Sequence, residues 1–298
     1  MKYFIDTDIG DDIDDALAIG YAIAKGLEIV GITTVYRETA ARVAAVKRLT
    51  AFSDYEIPVY GGYGKPIDKK VRVSGEMNYG APSSLGCEQN PETAIEFMAN
   101  CAERYGKELC IIEIGAQTNL ATAWNKYPEK MKKAGLAVIM GGSFTAQRNE
   151  WNISEDPAAA RIVGESEMNL LYVPFDVTEK TGVGVRNYDI MLNYRDDGLA
   201  GCVSDMVRER ERRNITFVPI LHDPTAVVCA LNKTVCKTKE ISFCVIDDGP
   251  ACGITLNADN MDLTFLPDFK KKKITVVTDV NAEDIINEFM QTLYGKQR

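Results

Sequence analysis

The sequence predicts an α/β fold, an open and mostly parallel sheet flanked by helices, and three observations predict it. Short β-branched runs bounded by glycine, such as Ile29-Val30-Gly31-Ile32-Thr33-Thr34-Val35, alternate along the chain with segments whose apolar residues recur at helical spacing. The runs are continuously apolar, as strands covered on both faces are, and strands separated by helices imply βαβ units. No Pro/Gly-rich or low-complexity linker interrupts the 298 residues, so residues 1–298 are expected to form a single domain.

The elements follow in order. A strand over 3–5 runs into an acidic turn and then a helix that contains Ala16-Leu17-Ala18-Ile19 and ends at Gly26. The segment 28–35 is the second strand. A helix is expected over 39–53, a short strand at Val59-Tyr60, and a helix over 91–105 with Pro91 in its first turn. A strand over 109–114, a helix from Asn119, a strand over 136–140, a helix from Pro157 and a strand over 170–173 extend the alternation. In such sheets the loops leaving the C-terminal ends of the strands converge on one edge, and ligands bind there. Those loops are 6–15, 35–39, 115–119, 141–152 and 176–178, and they hold nearly all the unusual polar residues.

Bulk properties exclude several function classes. A formal charge of -9 argues against a nucleic-acid partner, which normally meets clustered Lys and Arg. The basic runs at 208–213 and 270–273 read as solvated faces, the first because Glu209 and Glu211 alternate with its arginines. The eight cysteines, scattered from Cys87 to Cys252, show no zinc-like spacing and read as reduced thiols. No apolar run approaches the roughly 18 residues that span a bilayer. The chain opens on a strand-like segment without a secretory leader, so no membrane is expected and the expected location is cytoplasmic.

The stretch Asp6-Thr7-Asp8-Ile9-Gly10-Asp11-Asp12-Ile13-Asp14-Asp15 places six aspartates within ten positions. Like charges this close cost several kcal/mol in a low-dielectric cleft unless a cation offsets them. Helix capping and the helix dipole account for Asp14 and Asp15, but not for Asp6 and Asp8 at a strand end. Hard carboxylate oxygens suit calcium better than magnesium, which prefers a strict octahedron with several waters. An EF-hand is ruled out, because the twelfth position from Asp6 is Leu17 where that loop needs Glu. An aspartyl phosphotransferase with Asp6 as nucleophile stays open, since a carboxylate can attack phosphorus.

The only histidine, His222, stands in Pro219-Ile220-Leu221-His222-Asp223-Pro224-Thr225-Ala226, an apolar run feeding a helix. A lone histidine is more often structural than catalytic, and the adjacent Asp223 shifts the balance toward function.

These blocks resemble the inosine-uridine preferring nucleoside hydrolases over most of the chain. The resemblance rests on Asp6-Thr7-Asp8 with Asp14-Asp15-Ala16, Ile32-Thr33-Thr34-Val35, Ile57-Pro58-Val59-Tyr60-Gly61-Gly62 and Ile114-Gly115-Ala116-Gln117-Thr118-Asn119-Leu120-Ala121. It continues through Val138-Ile139-Met140-Gly141-Gly142, Glu150-Trp151-Asn152-Ile153, Asp156-Pro157-Ala158-Ala159, Pro174-Phe175-Asp176-Val177-Thr178 and His222-Asp223-Pro224. It implies a Rossmann-like core and hydrolysis of the N-glycosidic bond of ribonucleosides, with a homodimer or homotetramer as the assembly. By the same resemblance Asp8 would hold Ca2+ and act as general base on the attacking water. Asp15, Asp223 and the carbonyl of Ile114 would complete the metal site. Asp14, Glu150, Asn152 and Asn149 would hold the ribose, together with Asp223, and His222 would protonate the leaving base.

Departures from the family pattern concern the substrate. Many members read Asp-x-Asp-Pro-Gly-x-Asp-Asp, whereas two extra residues here separate Asp8 from Asp14, so Asp12 competes with Asp14 and Asp15 for a place in the metal shell. Tyr36-Arg37-Glu38-Thr39 lacks the Gly-Asn of many relatives, and Val73-Ser74-Gly75 has Ser where several carry His. Catalysis and a non-catalytic calcium- or ribose-binding role therefore both stay open. Met140-Gly141-Gly142 reads equally as a tight turn, Thr118 and Asn119 as helix caps, and Trp151 as a stacking or a packing residue. Trp124, Tyr188 and Tyr194 read as packing.

Overall fold

The computed structural model describes residues 1–67, 90–146, 148–213, 217–261 and 272–295. Val73-Ser74-Gly75, Cys87, Lys270 and Lys271 lie outside the described residues. The first half runs β1 (Lys2–Thr7), α1 (Asp14–Ala24), β2 (Ile29–Thr34), α2 (Thr39–Thr50), β3 (Val59–Gly61), α3 (Pro91–Tyr105), β4 (Leu109–Glu113), α4 (Thr118–Lys126), α5 (Pro128–Met131) and β5 (Leu136–Met140). The second runs α6 (Trp151–Glu155), α7 (Pro157–Glu165), β6 (Leu170–Val173), α8 (Phe175–Thr178), α9 (Gly184–Asn193), α10 (Leu199–Arg212), α11 (His222–Leu231), β7 (Cys236–Val245), β8 (Thr255–Asn257), β9 (Lys272–Val280) and α12 (Ala282–Tyr294).

The strands form one sheet in the order β3-β2-β1-β4-β5-β6-β9-β7-β8. From β3 to β9 every neighbouring pair is parallel. β7 runs antiparallel to both β9 and β8. The chain winds outward from β1 to β3, then returns to place β4 on the other side of β1. Its direction therefore switches between β1 and β4, and a crevice opens beyond their C-terminal ends. The register pairs Asp6 with Glu113, so the residues that follow, Asp8 and Ile114, emerge side by side into that crevice.

Both faces of the sheet are covered, as the continuously apolar strands required. Alternation along β1 sends Tyr3 and Ile5 into a core with α1, α2, α10, α11 and α12, and Phe4 into a second core with α3, α4 and α7. Gly31 in β2 lies where an added Cβ would come 2.3 Å from the Phe97 ring, so this close helix approach needs glycine. No helix among the described residues is long and apolar enough to cross a membrane.

The expected alternation is present through β6. The segment 176–178, expected as a loop, is the body of the one-turn helix α8. Thr118 and Asn119 do not cap α4, whose N-cap is Gln117 without a side-chain bond. Thr118 donates instead to Asp156 Oδ2 at 2.6 Å, and Asn119 to Asp6 Oδ1 at 2.9 Å and the Thr34 carbonyl at 3.1 Å. These side chains tie strand ends together because the strand-end carboxylate and carbonyl are buried acceptors that need a donor. The run 208–213 is not a purely solvated face. Arg210 is fully buried and Arg208 bonds the carbonyls of Leu192 and Tyr194. In the second run, Lys272 is half-buried and donates to the Met168 carbonyl.

Candidate active site

The loops beyond the C-terminal ends of β1, β4, β5 and β6 and the start of α11 enclose a cavity of about 520 Å³. Every residue put forward for the hydrolase site lines it: Asp8, Asp14, Asp15, Ile114, Asn149, Glu150, Asn152, His222 and Asp223. Met140, Trp151, Phe175 and Phe217 supply apolar surface, with Trp151 and Phe217 more than half exposed at the mouth.

The acidic loop is held by its own backbone and by arginines. Thr7 Oγ1 donates to Asp15 and accepts from the Ile9 amide, which locks the strand end against the first turn of α1. Asp11 pairs with Arg37 at 3.0 Å and Arg42 at 3.2 Å, and Asp12 with Arg210 at 2.8 Å. Arg42 is completely buried and also donates to the carbonyls of Ile9 at 2.8 Å and Tyr36 at 2.7 Å. Tyr36 and Arg37 adopt φ of 67° and 56°, a left-handed geometry unusual outside glycine. Their amides bond the carbonyls of Tyr63 and Gly64, both at 2.8 Å, which holds the loop in that shape. The Arg37 guanidinium lies 4.8 Å from the Tyr36 ring and 5.8 Å from that of Trp151.

The carboxylates collect in two groups, Asp14 with Asp15 and Asp223, and Asp8 with Asp11 and Glu155, the oxygens of each lying within 4.8 Å of one another. Burial, reinforced by neighbouring aspartates, pushes Asp14, Asp15 and Asp223 well above the usual carboxylate range. Burial likewise raises Asp8 to about 6, opposed by Arg42 and reinforced by Asp11. None of Asp14, Asp15 and Asp223 has an ion pair among the described residues, so these hard oxygens fit a divalent cation that would favour their ionised forms. Asp14, assigned to ribose by resemblance, stands in this first group. Asp8, assigned to the metal, stands in the second. Asp12 stands in neither.

The loop after β5 turns at Gly142, whose φ of 84° explains the glycine. Its amide donates to Glu150 Oε2 at 3.0 Å, and Glu150 caps α6 by accepting from the amides of Asn152 at 3.0 Å and Ile153 at 3.1 Å. Glu150 is thus oriented by backbone donors while lining the cavity. Asn152 Nδ2 reaches the carbonyls of Met140 at 3.1 Å and Ile114 at 3.4 Å, fixing its amide at the cavity floor. Asn149 donates to the Cys252 carbonyl at 3.0 Å. Asp176 organises the preceding turn by accepting from Ser143 Oγ at 2.9 Å and the Phe144 amide at 2.6 Å.

His222 opens α11 with Asp223 in the same turn. Its Nδ1 lies 2.7 Å from Thr178 Oγ1, and its ring stacks on Phe175 at 5.1 Å. The Arg148 guanidinium lies over the Phe175 ring at 3.7 Å. Burial pushes the imidazole down to about 4, against an opposing pull from Asp12, so the ring is neutral at neutral pH.

Asp6 does not line the cavity. It is fully buried, accepts from Thr33 at 2.6 Å and Asn119 at 2.9 Å, and is raised by burial to about 7; its place off the cavity lining sets it apart from a bound substrate. Sequence reasoning missed Glu155, Arg42, Arg37 and Arg210. Glu155 follows the Glu150-Trp151-Asn152-Ile153 block between the polar Ser154 and Asp156, where it read as an ordinary helix-end charge. The arginines gave no signal, because their partners lie on other elements.

A profile of the family described as inosine-uridine preferring nucleoside hydrolase matches residues 3–287. The chain is 28% identical over 316 residues to the pyrimidine-specific ribonucleoside hydrolase RihA of Salmonella typhi, with 98% of each chain covered. It is 29% identical over 322 residues to RihA of Salmonella arizonae, with 99% of each covered. Among solved structures, the purine-preferring ribonucleoside hydrolase from Gardnerella vaginalis superposes with a TM-score of 0.78 at 28% identity, covering 99% of this chain and 98% of that one. The plant nucleoside hydrolase PpNRh1 reaches 0.80 at 24% identity, with 98% of each chain covered, a likeness of fold.

Proposed function

We propose that this chain, which belongs to the inosine-uridine preferring nucleoside hydrolase family, uses the cavity beyond β1 and β4 to hydrolyse ribonucleosides to ribose and a free base with a calcium ion. Membership makes it an N-ribosyl hydrolase. The observation that carries the finer reading is the convergence of nine residues from four separate segments on one cavity. Asp8, Asp15, Asp223 and the Ile114 carbonyl would hold the ion. Calcium bound there would polarise the attacking water and clamp the ribose diol.

The protein's own groups do the rest. Asp8 takes the proton from water as its oxygen attacks C1′ of the ribose. The C1′–N bond breaks, its electron pair goes to the base nitrogen, and the sugar passes through an oxocarbenium-like state that the surrounding carboxylates stabilise. Glu150, Asn152, Asn149 and Asp14 orient the ribose hydroxyls, and the fixed positions of the first two reduce the ordering cost on binding. His222 delivers the proton from Nε2 as an imidazolium whose Nδ1–H donates to the Thr178 hydroxyl, the extra proton being taken up as negative charge develops on the departing base, and the ring is left as neutral imidazole. Trp151, Phe175 and Phe217 offer flat apolar surface to a purine or a pyrimidine alike. The relatives' names span both base classes, so kinship does not set the preference.

The test is ribose release from a nucleoside panel in calcium buffer, repeated with EDTA and with Asp8→Ala. Release that stops on chelation and is restored by calcium, but is lost in the variant, is expected. Ribose binding without release from any nucleoside would sink the assignment.

A further inference from the structure

We propose a second divalent-cation site beside the first, formed by Asp8, Asp11 and Glu155. Both carboxylate oxygens of Glu155 are buried with no hydrogen-bond donor, facing the carboxyl of Asp8, and the residue is only 4% exposed. One of them lies within 4.8 Å of a carboxylate oxygen of Asp8 and of Asp11. That spacing is what ligands of one ion span when its bonds to oxygen are about 2.3–2.6 Å long. A buried carboxylate with no donor is costly, and turning it toward two others adds repulsion unless something positive stands between them.

The arginines nearby do not fill that place. Arg42 spends its hydrogen bonds on the carbonyls of Tyr36 and Ile9 and on Asp11, and Arg37 pairs with Asp11. Neither bonds Glu155 or Asp8. Charge balance points the same way. Seven carboxylates, those of the four aspartates in 11–15 with Asp8, Glu155 and Asp223, surround three guanidiniums, those of Arg37, Arg42 and Arg210. One divalent ion held by Asp8, Asp15 and Asp223 leaves two of these negative charges uncompensated, and a second removes them. Asp8 would then lie between the two ions.

The inference rests on the first ion of the proposed function, and counting ions separates the two claims. Protein stripped with EDTA is dialysed against calcium chloride alone, without nucleoside, and bound calcium per chain is measured by mass spectrometry of the metal. Two ions are expected in the wild type, the second bound roughly tenfold more weakly because two guanidiniums stand beside it. Glu155→Gln is expected to hold one. A single ion in the wild type overturns the second site and leaves the first standing, the carboxyl pair of Asp8 and Glu155 then being held by a shared proton. Two ions in both proteins also overturn it, and no ion overturns both claims. Circular dichroism checks that Glu155→Gln is folded, and the wild-type count decides the matter even where the variant is not.

Discussion

Two pairs of aspartates in one loop, Asp11-Asp12 and Asp14-Asp15, carry the same charge two residues apart and meet opposite surroundings. The first pair is met by the protein's own cations, Arg37, Arg42 and Arg210. The second is buried against Asp223 with no ion pair among the described residues, and burial pushes its carboxyls well above the usual range. Charges that the fold neutralises itself shape the loop, whereas charges left facing one another are reserved for a ligand. Asp11 is the joint between the two, since it pairs with arginine and also borders the donorless Glu155.

The largest effect expected from this contrast falls on the second pair and its partner. Asp15→Asn and Asp223→Asn should each lower kcat/KM for a cleaved nucleoside by about a thousandfold or more and cost one bound calcium ion per chain, because each removes a charged ligand of the first site. Retained calcium with normal turnover in either variant would erase the distinction between the pairs.

His222 reaches the same cavity from the other side of the crevice, and its effect depends on the leaving group. His222→Ala should cut turnover of purine or pyrimidine nucleosides by about 10² to 10⁴, and that of p-nitrophenyl riboside by less than about threefold. Equal losses on the two substrates would leave His222 without a role as proton donor.

A third, smaller effect concerns stability without metal. Burial raises Asp8 to about 6 and Asp6 to about 7, and pushes Asp14, Asp15 and Asp223 well above the usual carboxylate range. Unfolded aspartates titrate near about 3.9, so over this range the native state binds more protons than the unfolded chain and stability falls as pH rises. Chelated protein should lose several degrees of Tm, on the order of 3–6 °C, between about pH 5 and pH 8, and saturating calcium should flatten that slope. A Tm that rises with pH in chelator contradicts the buried, uncompensated state of these groups.

The contrast also marks what the sequence made legible. The run from β1 to β6 was readable because a strand buried on both faces and a helix with one apolar stripe leave different periods in the chain. The strand-end rule then named the loops, and all nine proposed residues lie in the cavity those loops form. Which aspartate faces which partner was not readable. Arg210 looked like one more solvated charge in Arg-Glu-Arg-Glu-Arg, and only the packing of α10 against α1 brings it to Asp12. The antiparallel end escaped for a different reason. The first half of β7 is exposed, so its burial pattern resembles neither a covered strand nor a clean alternation.

The smallest functional effect is expected at Asp12, which the two-residue insertion made a candidate metal ligand. Its side chain is 42% exposed and its carboxylate is spent on Arg210, outside both carboxylate groups. Asp12→Asn should therefore leave calcium retention intact and kcat/KM within about threefold of wild type, while lowering Tm by a few degrees because Arg210 loses its charged partner. Partial exposure of Asp12 keeps that loss below the several kcal/mol of a fully buried pair. Arg210 also donates to the Phe217 carbonyl, so the residual defect should appear as a raised KM through displacement of Phe217 at the cavity mouth, with kcat unchanged. Loss of calcium from Asp12→Asn would instead move this residue into the metal shell and dissolve the division between the two aspartate pairs.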